Sequence, residues 1–224
     1  MNIGIMQPYL FPYYLYFKLI KKCDKFVFLD DVDFIKRGWI NRNQISDHLN
    51  AKTFTIPCVK SRFQKINTVE ICPESSPYQK TKLLKRFNQN FKSCKNFDKA
   101  NNILNKTLEF NTNFISELAI HSIKEVCKYL DIETDFSCSS NLNLSPDLSG
   151  ENRIIKICQI LGGEVYYNLP GGKSYYNDRS FIDNGLRIKF IEDSILNPDD
   201  EKVFQMSIIE PIAIYDLSYI QKKL

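Results

Sequence analysis

An α/β fold with a mostly parallel, Rossmann-like sheet and a central helical insert is predicted by three features of the sequence. The residues up to Asp30 read as strand, helix, strand, the span of a βαβ unit. The final third returns to the same alternation of strand and helix. Between them, residues 77–130 carry apolar side chains at helical spacing. A chain of 224 residues is expected to form a single α/β domain, 1–224, with 77–130 as a helical insert or subdomain.

The elements follow in order. Asn2–Met6 (NIGIM) is short and apolar, as a buried strand is. From Pro12 to Lys22 the pattern is helical, with Pro12 in the first turn, where a missing N–H costs nothing. Lys25–Asp30 (KFVFLD) is rich in β-formers and reads as the second strand; Thr53–Pro57 (TFTIP) and Lys65–Ile71 (KINTVEI) read as two more. Leu83, Leu84, Phe87 and Phe91, then Ile115, Leu118, Ile120, Ile123, Val126 and Leu130, mark two or three helices. Thr134–Ser140 (TDFSCSS) is a strand. Gly150–Leu161 is an amphipathic helix with Ser149 as its N-cap. Val165–Asn168 (VYYN) is a strand, Leu169–Lys173 (LPGGK) a turn, and Leu186–Glu192 (LRIKFIE) a strand.

Composition narrows the class. With 43% hydrophobic and 25% charged residues the chain is globular rather than disordered. No apolar run approaches the roughly 20 residues of a membrane-spanning helix, and the start lacks the pattern of a secretory signal, so a cytoplasmic protein is expected. The seven cysteines are dispersed without a C-x-x-C pair, which predicts reduced thiols and neither a disulfide framework nor a zinc site. Of the two histidines, His48 and His121, the second opens a helical pattern and reads as a helix-face residue. A net charge of +4 without a basic stripe predicts no nucleic-acid partner.

Three stretches carry candidate chemistry. In an open α/β sheet, ligands bind outside the carboxyl ends of the strands. Met6–Phe17 (MQPYLFPYYLYF) leaves the first strand at that end. Gln7 offers a donor and an acceptor there, and Tyr9 and Tyr13 offer rings that stack and hydroxyls that hydrogen-bond; Phe11 and Phe17 read as packing. Leu29–Ile45 (LDDVDFIKRGWINRNQI) sets Asp30, Asp31 and Asp33 at the same sheet end, followed by Lys36, Arg37, Trp39, Asn41 and Arg42. Such a density of acid and base holds Mg²⁺ with a phosphate, orients a sugar, or forms a charge-laced loop anchored by Trp39. Val165–Tyr176 ends a strand at Asn168 and turns through Gly171 and Gly172 into Lys173. Its backbone amides suit an anion, although the spacing is not that of a Walker motif.

These stretches together, with GGEVYYNLPGGKSYY followed by GLRIKFIE, resemble the WbqC-like proteins found among bacterial surface-polysaccharide genes. The likeness covers the two ends of the chain; the middle resembles the family mainly in being helical. It implies a cytoplasmic, enzyme-like protein of O-antigen, lipopolysaccharide or capsule assembly and leaves the reaction open. The opening also resembles nucleotidyltransferase-like enzymes in topology, with Gln7-Pro8-Tyr9 where those have a two-histidine turn.

The expected function is a transferase that forms an amide between an acyl or aminoacyl group and an amino sugar in nucleotide-linked form. That reaction needs a proton acceptor and donors for an oxyanion. Asp30 or Asp31 is the expected base, and Gln7 or Asn41 the oxyanion donor. Lys36 and Arg42 are expected to anchor phosphates, and Trp39, Tyr9 and Tyr13 to position a ring. Asn168, Gly171, Gly172 and Lys173 complete the substrate contacts. The cofactor stays open between ATP, an acyl-CoA donor and a charged tRNA, and so does a homo-oligomer. A non-catalytic sugar-nucleotide-binding accessory protein and a glycosyltransferase using Asp31 and Asp33 are the alternatives.

Overall fold

In the computed structural model, residues 1–47, 50–59, 63–193 and 198–224 are described, with the backbone alone for 198–199. Their strands are β1 (Asn2–Met6), β2 (Lys25–Phe28), β3 (Arg42–Asp47), β4 (Asn50–Thr55), β5 (Asp135–Cys138), β6 (Val165–Asn168) and β7 (Arg187–Phe190). Their α-helices are α1 (Tyr14–Lys22), α2 (Ser76–Phe91), α3 (Phe97–Leu108), α4 (Ile115–Tyr129), α5 (Gly150–Ile160), α6 (Asp178–Asp183), α7 (Pro198–Phe204), α8 (Ile209–Ile214) and α9 (Leu217–Lys223). His48 lies outside the described residues; His121 sits in α4, its ring stacked 4.1 Å from that of Phe110.

Five strands form one sheet in the order β5-β2-β1-β6-β7, and every pair is parallel. β3 and β4 form a separate antiparallel hairpin, registered from Arg42 opposite Thr55 to Asp47 opposite Asn50. The fold is therefore the α/β, Rossmann-like class, with a helical region and a small hairpin added. Strand order runs outward from β1 to β5 on one side, then restarts from β1 to β7 on the other. The reversal falls between β1 and β6, where their carboxyl ends part.

Alternation along the strands sends side chains into two separate cores. Phe26 and Phe28 of β2, with Val165 and Tyr167 of β6, join α1, the α2–α4 helices and α8 in the larger one. Ile3 and Ile5 of β1, Val27 and Tyr166 pack with Ile154, Ile155, Ile157 and Phe181 of α5 and α6 in the smaller. Both faces are covered, which is why these strands read as nearly continuous apolar runs. Gly4 sits where a Cβ would lie 2.8 Å from both Cys23 Sγ and Phe26 Cδ2, so a bare Cα lets the β2 ring and the end of α1 close over the central strand. No described helix is long and apolar enough to cross a membrane.

Several elements differ from expectation. Lys65–Ile71 is not a strand: it holds a single 3₁₀ turn at Ile66–Thr68 and isolated bridges from Lys65 to Asp33, Glu70 to Phe114 and Ile71 to Cys58. Thr68 Oγ1 donates to the Lys65 carbonyl at 2.9 Å, a local bond that competes with any ladder. The helix begins at Tyr14 rather than Pro12, because Phe11 just before it turns through a left-handed backbone angle, φ 46°. The glycine turn is a 3₁₀ helix, Pro170–Tyr175. Ser149 does stand at the N-cap of α5, without a side-chain capping bond.

The C-terminal helices α7–α9, which the sequence pattern did not announce, tie the hairpin down. Glu210 at the start of α8 is 2% exposed. Its carboxylate accepts from Ser46 N at 2.8 Å and from Ser46 Oγ at 2.6 Å. Burial pushes its pKa up, against the pull of the two Ser46 bonds.

Two outcomes follow from this packing. Gly4→Ala is expected to lower unfolding free energy by about 2 kcal/mol, the cost of overpacking a closed core, measured by urea denaturation. Because the folded state holds the Glu210 proton more tightly than the unfolded chain, its contribution is greatest at acid pH and is lost as pH rises from the ordinary carboxylate range through the raised folded value. Glu210→Gln, which can still accept from Ser46 N and donate to Ser46 Oγ, should remove that decline; melting curves of both proteins across pH would show the wild type falling relative to the variant.

Candidate functional site

A cleft of about 770 Å³ opens at the carboxyl ends of β1 and β6, the place where strand order reverses. Its floor is strand-end backbone and its walls come from three stretches far apart in sequence. The first, residues 5–13, follows β1. Gln7 lines the cleft directly after the strand, its carbonyl accepting from the buried Tyr16 hydroxyl at 2.9 Å. Tyr9 packs on Tyr16 with ring centroids 5.8 Å apart, and Tyr9 and Tyr13 both face the cleft. Burial raises the pKa of Tyr9; burial, then Asp193 and Tyr9, push Tyr13 up to about 12. Both phenols are therefore neutral donors at physiological pH.

The second wall is residues 35–44. Leu10 N donates to the Trp39 carbonyl at 3.2 Å, pinning the two stretches together. Asn43 is buried and closes the joint: its Nδ2 donates to the carbonyls of Leu10 at 3.0 Å and Phe11 at 2.6 Å, and its Oδ1 accepts from Gln44 N. Trp39 is 42% exposed and lines the cleft with Ile35, Asn43 and Gln44. The Arg42 guanidinium lies 5.5 Å over the Trp39 ring and donates to the Gly38 carbonyl.

The third wall is residues 168–176, with Gln205 joining from the turn after α7. Asn168 ends β6, buried, and its Oδ1 accepts from Leu169 N at 2.7 Å. A Cβ at residue 172 would stand 2.6 Å from Asn168 Nδ2, so Gly172 is required for the chain to fold back over that amide. Tyr176, whose hydroxyl is 3.3 Å from that of Tyr166, and the exposed Tyr175 complete the wall.

Of the residues singled out from sequence, Gln7, Tyr9, Tyr13, Trp39, Asn168, Gly171 and Gly172 line this one cleft. Asp30, Asp31, Lys36, Asn41, Arg42 and Lys173 do not. Asp30 is 5% exposed, and its carboxylate accepts from Ser140 N at 3.0 Å and Ser140 Oγ at 2.8 Å. Asp31 is paired with Arg153 of α5 and with the Ser139 hydroxyl. Asp33 lies 2.7 Å from Lys65 Nζ, so Asp31 and Asp33 are each engaged by a cation of the chain. Asn41 Nδ2 donates to the Ile56 carbonyl at 2.9 Å, and Lys173 Nζ sits 5.8 Å from the Phe190 ring. Lys36 is exposed. Among the described residues no group of three or more His, Cys, Asp or Glu side chains could hold a metal ion.

The sequence places Asn43 in the same charged and polar stretch as Trp39 without a role for it, and Gln44, Tyr175, Tyr176 and Gln205 were missed as lining residues. The run N-R-N-Q ahead of Ile45 held a usable signal, since amides on an edge strand seldom pack against a core. Gln205 had none. Among the described residues the cleft lining carries no charged side chain; it is built of amides, phenols, an indole and aliphatic groups, and can hold an uncharged polar ligand.

A parallel α/β protein with a ligand cleft at its topological switch point is the class defined by this fold and site. The chain belongs to the WbqC-like protein family, whose pattern matches residues 7–216. It is similar to an uncharacterized protein of Mycobacterium tuberculosis, 28% identical over 194 residues, covering 85% of this chain and 82% of that one. No solved structure matches the chain.

The Asn43 joint can be tested directly. Asn43→Ala should cost about 2 kcal/mol, because it leaves a buried carbonyl without a donor. Asn43→Asp, which turns an acceptor toward the Leu10 and Phe11 carbonyls, should cost more. Chemical denaturation of the two variants gives the order.

Proposed function

We propose that the cleft receives the sugar ring of a nucleotide-linked amino sugar, and that the protein is a transferase joining an acyl or aminoacyl group to its amine in O-antigen, lipopolysaccharide or capsule assembly. The observation that carries this reading is the lining. The amides of Gln7, Gln44 and Gln205 line the same cleft as the rings of Tyr9, Tyr13, Trp39, Tyr175 and Tyr176. Amides donate and accept, matching hydroxyl and acylamino groups, while ring faces cover the C–H face of a sugar.

In this reading the amine nitrogen attacks the acyl carbon, the bond from that carbon to its leaving group breaks, and the amine proton passes to the leaving group or to water. Gln7 Nε2, directly after β1, is the donor for the developing oxyanion, and the buried Asn168 at the end of the adjacent strand is a positioning residue beneath the glycine turn. Asp30 and Asp31, with their bonds to Ser139, Ser140 and Arg153, hold the end of β2 in place and are positioning residues rather than the base first expected. Lys36 and Lys173, both exposed, are the cations left for phosphates outside the cleft. A lining made, among the described residues, of amides, phenols, an indole and aliphatic groups also supports a second reading, a non-catalytic sugar-nucleotide-binding accessory protein.

Native mass spectrometry against UDP-, dTDP- and GDP-linked amino sugars tests both. A retained sugar nucleotide, bound about tenfold more weakly by Gln7→Ala, is expected. Addition of acyl-CoA, of ATP with a carboxylic acid, or of aminoacyl-tRNA should then yield an amide of increased mass. Binding without product from any donor selects the accessory protein, and no binding of any sugar nucleotide overturns both readings.

A further inference from the structure

A second groove, of about 310 Å³, lies between β4 and α2. Its lining joins two cations, Lys82 and Arg86, to three neutral polar side chains, Gln79, Thr53 and Thr55. Among the described residues no acidic side chain lines it. α2 carries Lys80, Lys82, Lys85 and Arg86 and no Asp or Glu. Lys82 and Arg86 are one helical turn apart on the groove face, a like-charge spacing that destabilises a helix by itself. Among the described residues neither is in an ion pair.

The geometry also orients the donors. Arg86 Nη1 donates to the Thr53 carbonyl at 3.2 Å, which orients the guanidinium beside β4, and among the described residues its other N–H groups remain to donate. Thr53 Oγ1 accepts from Gln44 Nε2 at 3.4 Å, so its own hydroxyl hydrogen is free to donate. An oriented guanidinium, an ammonium, hydroxyls and an amide around one small concavity are the donor set of a phosphate site.

We propose that this groove binds the phosphate or diphosphate of a small ligand. Arg86 supplies the planar, directional contact, Lys82 the point charge, and Thr53, Thr55 and Gln79 the remaining donors. The site is separate from the cleft and does not depend on how the cleft is read. The two are neighbours, since Gln44 lines the cleft and touches Thr53 in the groove.

Isothermal titration of the full chain with sodium pyrophosphate, at constant ionic strength set with chloride, is the test. Saturable binding is expected, weakened about tenfold in Lys82→Ala. Lys82 is exposed, so this variant folds, and circular dichroism checks it. Lys85→Ala removes the same charge from the same helix off the groove lining and should leave affinity within about twofold, the residual screened effect of a surface charge. No saturable binding, or equal loss in the two variants, overturns the proposal. Inorganic phosphate and ADP are both expected to compete with pyrophosphate; tighter competition by ADP assigns the site to a nucleoside diphosphate, equal or tighter competition by phosphate to the free anion, and competition by neither overturns the proposal. An RNA that binds more tightly than pyrophosphate and is indifferent to Lys82→Ala would also overturn it.

Discussion

The site depends on one backbone constraint, the left-handed turn at Phe11. A bulky residue at φ 46° costs roughly 1–2 kcal/mol relative to ordinary backbone, and glycine would avoid that cost. Phe11 is nevertheless fully buried in the larger core, so its ring contributes more than its backbone loses. Three segments hold the turn: its N–H donates to Ser122 Oγ of α4 at 3.1 Å, and its carbonyl accepts from Asn43 of β3 and from Ser207 Oγ ahead of α8 at 3.0 Å. The turn reverses the chain between Tyr9 and Tyr13, so both rings reach the same cleft. Helical region, hairpin and C-terminal helices thus meet on one residue that never touches ligand space.

Much of the frame was legible in the sequence because parallel strands covered on both faces are apolar throughout. Asn2–Met6, Lys25–Phe28 and Val165–Asn168 carry that mark in isolation, and the strands that pair with them follow from topology. The rule that ligands lie outside strand carboxyl ends pointed to Gln7, Asn168 and the glycine turn, and these line one cleft. Asp30 and Asp31 show where such reading stops. Their types and position fit a catalytic pair, yet their partners Ser139 and Arg153 are more than a hundred residues away, and no local pattern reports that. Lys65–Ile71 failed for the same reason in reverse: β-forming composition met no continuous partner strand.

Charge is distributed with some economy. Among the described residues the cleft lining is uncharged, Asp30 behind it accepts hydrogen bonds from Ser139 and Ser140 while Asp31 pairs with Arg153, and cations without an ion pair stand in the groove beside α2. The two concavities therefore suit different chemical groups, neutral polar ones in the cleft and anionic ones in the groove. Gln44 and Thr53, opposite each other across the hairpin, form the short polar link between them.

The connection between the adjacent strands β2 and β5, running from Phe28 to Asp135, has a consequence for how the molecule assembles. Closing so long a segment carries an entropic cost that β1, α1 and β2 do not bear among themselves. A nascent chain can therefore form that first unit early in synthesis, while the edge strand waits for the intervening helices. The opposite wall of the cleft waits longer still, since it arrives only with β6. The hollow between β1 and β6 is thus among the last features to take shape, and a partly made chain exposes the aromatic side of Tyr9 and Tyr13 until then.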